Sequence, residues 1–190
     1  MTMTLQRPAS ITDAFLQKLV SRVPSTAGGT WKLTEVYTGD VLVELPQSTP
    51  ADIEQAFATA RAAQAEWAAR PLSDRLAVFK RAHSLFIDKA ETTPDLIQVE
   101  SGKNRRMAIE ETCDPVMVMS HYLKRAPKLL APVKRGGPVP FVSTSTEIRQ
   151  PKGVVGIIAP WNFPFATGLS DAIPALIAGN GVVVKPDNKT

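Results

Sequence analysis

Apolar positions recur with helical spacing over much of the first two thirds of this 190-residue chain and then give way to strand-like runs. Ile11, Phe15, Leu19 and Val23 repeat every four residues, which predicts an amphipathic helix from Ser10 to Val23, broken by Pro24 to Gly29. A hairpin is expected next. Trp31, Leu33 and Val36 lead into Thr38-Gly39-Asp40, after which Val41, Val43 and Leu45 occupy alternate positions. Thr49-Pro50-Ala51-Asp52 reads as a helix start, with a hydroxyl cap, a proline at the first position and an acid in the first turn. Ile53, Phe57, Ala60 and Trp67 supply one face of that helix. A second start is expected at Ser73-Asp74, followed by Leu76, Phe79, His83, Phe86 and Ala90 at three- and four-residue steps. Thr93-Pro94-Asp95 opens a shorter helix ending near Gly102. Another is expected from Arg105 to Leu130, with Ile109, Cys113, Val116 and Leu123 on one side. Pro115 should kink or break it, and Pro127 and Pro132 should close it.

From Pro138 to Arg149 the period changes. Val139, Phe141, Val142, Thr144, Thr146 and Ile148 are β-formers interleaved with polar residues, which predicts an exposed strand ribbon. Val154 to Ala159 and Val182 to Lys185 are near-continuous apolar runs on either side of a helix-like segment, Ala166 to Ala178. Strands of that composition belong in a parallel sheet covered on both faces. A strand, a helix and a strand with short loops form a right-handed crossover. The expected fold class is α/β. Residues 1–137 form a helical region with a small hairpin, 138–150 a ribbon, and 151–190 the first βαβ unit of a parallel sheet.

Composition narrows the picture slightly. A hydrophobic content of 44% suits a globular chain, and the net charge of +4 is scattered over helix-like segments. That distribution marks a solvated surface, not a nucleic-acid footprint. Cys113 is the only cysteine, so no internal disulfide can form. No run approaches the ~20 apolar residues of a membrane span, and Met1 to Arg22 holds no signal-type apolar core. Asn188-Lys189-Thr190 matches a glycosylation triplet that such an address would not use, and a cytoplasmic location is expected.

The candidate chemistry lies at the ends of the two apolar strands. In open parallel sheets ligands bind outside the carboxyl ends of the strands. Ala159-Pro160-Trp161-Asn162 and Lys185-Pro186-Asp187-Asn188 both occupy such ends, on strands joined by one crossover, and are expected to approach one crevice. The run Pro160-Trp161-Asn162-Phe163-Pro164, followed by Lys185-Pro186, resembles the start of the cofactor domain of the aldehyde dehydrogenase superfamily. The resemblance covers about Gly39 to Thr190 and is most specific from Gln150 to Lys185. It makes residues 151–190 the opening of a Rossmann-like NAD(P)-binding domain. It implies that Asn162 is the oxyanion residue, whose side-chain amide would meet the negative charge growing on an aldehyde oxygen under thiolate attack. Ile158, Ala159, Pro160 and Trp161 would line the nicotinamide ribose and diphosphate. Lys185 would bond the adenosine ribose or a phosphate on it, with Pro186 and Asp187 beside it. Many members carry Lys-Pro-x-Glu; here Asn188 stands at the Glu position, and a neutral amide does not repel a 2′-phosphate. NADP is therefore favoured slightly over NAD.

Ser170 to Asn180 is similar in style to the succinate-semialdehyde dehydrogenase (NADP) branch, which suggests that substrate, although no basic residue can be named for its distal carboxylate. The resemblance places the nucleophilic Cys, the general-base Glu and a phosphate-side Gly loop beyond Thr190, so these residues alone are expected to be inactive. Cys113 matches no catalytic motif and is expected to be a small buried hydrophobe. His83 and His121 are expected to pack or to lie at the surface, and His and Cys are too few for a zinc site. Glu100-Ser101-Gly102-Lys103 fails the phosphate-loop spacing because position 97 is Ile97. Two readings remain. One is NAD(P)-dependent oxidation of an aldehyde to the acid by a complete enzyme, expected to be a homo-oligomer through the ribbon. The other is a non-catalytic remnant acting through oligomer or partner contacts.

Overall fold

The computed structural model describes residues 7–26, 28–139 and 141–188. In chain order the elements are α1 (Asp13–Val20), β1 (Thr30–Thr34), β2 (Val41–Pro46), α2 (Pro50–Ala69), α3 (Leu72–Asp88), α4 (Thr92–Ser101), α5 (Arg105–Leu130), β3 (Val133–Gly136), β4 (Thr144–Glu147), β5 (Val154–Ile158), α6 (Pro164–Ile177) and β6 (Gly181–Lys185).

Local signals account for several boundaries. Thr49 caps α2 as expected. Its Oγ1 accepts the Asp52 amide at 3.2 Å while the Asp52 carboxylate accepts the Thr49 amide at 2.8 Å. The same carboxylate accepts the Thr26 hydroxyl and amide, tying the preceding loop to the helix. These donors, the Thr26 hydroxyl foremost, hold the Asp52 carboxyl at about 2, below its ordinary 3.8. β1 and β2 pair antiparallel, and Gly39 takes φ 76° in the connecting turn. Gly102 ends α4 at φ 71° with its amide on Gln98 O.

Elsewhere packing overrides the local reading. α1 is shorter than expected, because Thr12 caps it by accepting the Phe15 amide. Leu16 is its buried residue and Ile11 is buried just before it, whereas Leu19 in its last turn and Val23 beyond it are exposed. α3 begins behind Pro71, without a side-chain cap from Ser73 or Asp74. α5 runs unbroken through Pro115 and Pro127. Pro115 is fully buried, and packing of α5 against α3, α4 and α6 outweighs one missing hydrogen bond. The buried face of α5 is Ala108, Glu111, Thr112, Pro115, Met119 and Ala126. That stripe is offset from the expected one, so Ile109 and Cys113 are exposed; Cys113 is not a buried hydrophobe. The ribbon is an antiparallel hairpin of β3 and β4 that starts earlier than expected, at Val133. Phe141 and Val142 lie outside its strands and are exposed.

Two apolar clusters organise the chain. Ile11, Leu16, Leu33, Leu42, Val43 and Val99 join α1, the first hairpin and α4. Phe79, Met119, Ala126, Ile173 and Ile177 join α3, α5 and α6. β5 and β6 pair in parallel, with Ile158 opposite Lys185. The sheet is flanked as expected, but coverage is incomplete: Ile157 and Ala159 are buried while Ile158 is 80% exposed and Val184 is 45% exposed.

Glu100, near the end of α4, has no hydrogen-bond or ion-pair partner among the described residues, and burial raises its carboxyl from 4.5 to about 7. A folded-state value above the unfolded one means the fold binds the extra proton. Its contribution is therefore complete below pH 4.5 and disappears as pH rises through 7. Glu100→Gln is expected to leave stability near pH 4 almost unchanged and to raise it by about 2 kcal/mol at pH 8. Urea denaturation of both proteins at the two pH values checks this; a variant no more stable at the higher pH refutes it.

Candidate functional site

The crossover brings the two candidate segments to adjacent strand ends, with the Ala159 amide donating to Lys185 O at 3.0 Å. Gly156 lies beside the Phe57 ring of α2, whereas Ala159 and Val184 lie against Gly168 of α6. Side chains alternate along a strand, so Ile158 and Lys185 take the α2 side. The segment Pro160–Phe163 turns the other way into α6.

On the α6 side the corner opens onto a depression of about 480 Å³ lined by Glu110, Glu111, Asp114, Pro160, Asn162, Phe163, Ala166 and Thr167. Asn162 is exposed, and its amide has no hydrogen-bond partner among the described residues. Trp161 is 56% exposed. Asp114 Oδ2 accepts the Ser170 hydroxyl at 2.5 Å, and Glu110 pairs with Arg106 at 2.9 Å. Lys185 is not part of this depression. Its ammonium donates to Pro186 O at 2.8 Å and to Asn188 Oδ1 at 3.4 Å, while Asp187 lies half-buried beside them. The expected site residues therefore form two groups flanking one sheet edge: Pro160 and Asn162 at the depression, and Ile158, Lys185 and Asn188 across it. Cys113 does not line the depression. His83 bonds Ser120 at 2.8 Å, whereas His121 is exposed with its ring edge-on to its chain neighbour Tyr122.

Glu111 is the residue that sequence reasoning missed. It is 1% exposed, and its Oε1 accepts the Phe165 amide at 3.0 Å and the Ala166 amide at 3.4 Å, at the start of α6. Its other oxygen pairs with Lys103 Nζ. The available signal was an acid at helical spacing from Ala108, Pro115 and Met119. Setting the apolar stripe on Ile109 and Cys113 hid it.

By architecture the chain is an α/β protein with a ligand-type edge at the carboxyl ends of parallel strands. It belongs to the aldehyde dehydrogenase family, whose model matches residues 23–190. A Mycobacterium bovis protein provisionally named succinate-semialdehyde dehydrogenase (NADP(+)) 2 is 43% identical over 185 residues, covering 96% of this chain and 36% of that protein. Vanillin dehydrogenase of Corynebacterium glutamicum is 35% identical over 157 residues, covering 81% of this chain and 31% of its own length. A solved NAD-dependent benzaldehyde dehydrogenase from Corynebacterium glutamicum superposes with a TM-score of 0.80 at 32% identity, covering 88% of this chain and 36% of that one. The chain thus spans about a third of the length of these relatives.

Proposed function

We propose that a protein carrying this chain oxidises an aldehyde to the carboxylic acid with NADP or NAD. The supporting observation is the exposed, unpartnered amide of Asn162 at the mouth of an open depression, at the end of a parallel strand. There an amide donor can meet a growing oxyanion without reorganising. Ile158 to Trp161 would lie along the nicotinamide half of the cofactor. Lys185, Pro186, Asp187 and Asn188 would lie along the adenosine half. Succinate semialdehyde is the substrate we favour, on the likeness of Ser170 to Asn180 to that branch and on the name of the Mycobacterium bovis relative. In this reading residues 1–137 are the packing region, 138–150 the association ribbon and 151–190 the opening of the cofactor domain. The exposed Phe141 and Val142 beside the β3–β4 hairpin favour association with another copy. They are also what a non-catalytic chain working through partner contacts would use.

The test is a chimera in which this chain replaces the matching third of the Mycobacterium bovis relative. Formation of NADPH or NADH from succinate semialdehyde is expected, and none from the 190 residues alone. A chimera that folds and binds cofactor but oxidises no aldehyde would favour the non-catalytic reading.

Cofactor preference follows from Asn188. Asn188→Glu is expected to weaken NADP binding by about tenfold or more and to leave NAD binding unchanged or improved, because a carboxylate repels the 2′-phosphate. Titration of both cofactors against both chimeras measures it. Equal ratios would remove Asn188 from the adenosine site.

A further inference from the structure

The corner that presents Asn162 has no cap of its own. Phe163 stands at the N-cap of α6 with φ −140° and ψ 57°, and no side-chain cap bond is made there. The first amides of a helix need acceptors. Glu111 of α5, 54 residues upstream of Phe165, supplies one through a side chain that is 0% exposed. Its partner Lys103 is 11% exposed, and the Lys103 ammonium lies 4.0 Å from the centroid of the Phe163 ring. One ion pair therefore grips both flanks of the corner: the ring next to Asn162 and the amides of Phe165 and Ala166. Pro164 between them has a fixed φ. Asp114, one turn along α5, repeats the link by accepting the Ser170 hydroxyl.

Buried ion pairs add little net stability compared with apolar packing. What this one does is fix geometry. The carboxylate also fills the positive end of α6, so that helix terminus offers no open anion site. The Asn162 side-chain amide, next to this terminus, has no hydrogen-bond partner among the described residues. We propose that Glu111 and Lys103 are positioning residues that set the Asn162 amide for its role; this rests on the reading of Asn162 as the oxyanion donor.

In the chimera, Glu111→Gln is expected to lower kcat by about 100-fold with little change in the aldehyde KM, since a misplacement of about 1 Å is enough for that loss. Combined with Asn162→Ala it should lower kcat no further than Asn162→Ala alone, because Glu111 acts through that amide. Losses that multiply in the double variant would overturn the proposal. Nuclear magnetic resonance of the 190-residue chain separates this from the functional reading. Glu111→Gln should shift the Asn162 side-chain amide resonances and speed exchange of the Phe165 and Ala166 amides by about tenfold. Lys103→Met, which keeps an apolar stem over Phe163, should shift the same Asn162 resonances and serves if Glu111→Gln fails to fold. Unmoved Asn162 resonances refute the clamp whatever the kinetics. Moved resonances with an active Asn162→Ala enzyme would retain the clamp as geometry and reject the oxyanion role.

Discussion

Asn162→Ala is expected to lower turnover of the chimera by a factor of about 100 to 1,000 while cofactor affinity stays within about twofold. The effect is large because the donor acts where charge develops, and water cannot replace a fixed amide without reorganising at the moment of reaction. It is expected mainly in turnover because Lys185 and Asn188, the proposed adenosine-side residues, do not line the Asn162 depression; Pro160, on the nicotinamide side, does. Asn162→Asp should be at least as damaging, since a carboxylate repels the oxyanion. Single-turnover assays with saturating cofactor, paired with cofactor titration, separate the two parameters. Turnover within about twofold of the parent would end the assignment, and parallel loss of cofactor binding would move Asn162 into the nucleotide site.

Arg75→Ala should produce the largest loss of stability, about 3 to 5 kcal/mol. Arg75 is buried, and its guanidinium bonds backbone carbonyls, not a carboxylate. Nε donates to Ile177 O at 3.0 Å, and Nη1 donates to Ala68 O at 3.2 Å and Arg70 O at 2.6 Å. One cation thus closes the last turn of α6 and the end of α2, where helix carbonyls lack internal partners and the dipole favours positive charge. Burial lowers the pKa of the group from its ordinary value, but an arginine stays charged where a lysine would yield its proton. Arg75→Lys, with a point charge in place of a fork, should recover less than half of the loss. Arg75→Met keeps the stem and isolates the polar part. Urea midpoints of the three variants at constant m-value test this. If Arg75→Met matches the parent, the carbonyls find other donors and the capping role fails.

The elements written in short-range chemistry were legible. The Thr49 and Asp52 cap, the glycine at the end of α4, the first hairpin and the β5–α6–β6 crossover need only residues within a few positions of one another. So did the Pro160–Pro164 corner and the Lys185 strand end. The parts that failed depend on distant partners. The face of α5 was misjudged because Cys113 and Ile109 match a helical period as well as Pro115 and Met119 do, and only the packing of α3, α4 and α6 decides which stripe is covered. The hairpin start at Val133 was missed because Val133-Lys134-Arg135 has no apolar alternation; its pairing with Thr144–Glu147 supplies the strand.

The amino-acid order by itself determined the class of the chain and the identity of its candidate donor, because a strand, a proline-bounded turn and an amide in sequence form one local unit. Only the tertiary structure decided that Asn162 and Lys185 take opposite flanks of the sheet edge, since that follows from strand alternation and from which helix covers each face. It also decided how the corner is held. The acceptor for the amides at the start of α6 lies on another helix, and a hydrogen bond across 54 residues leaves no local trace in the sequence.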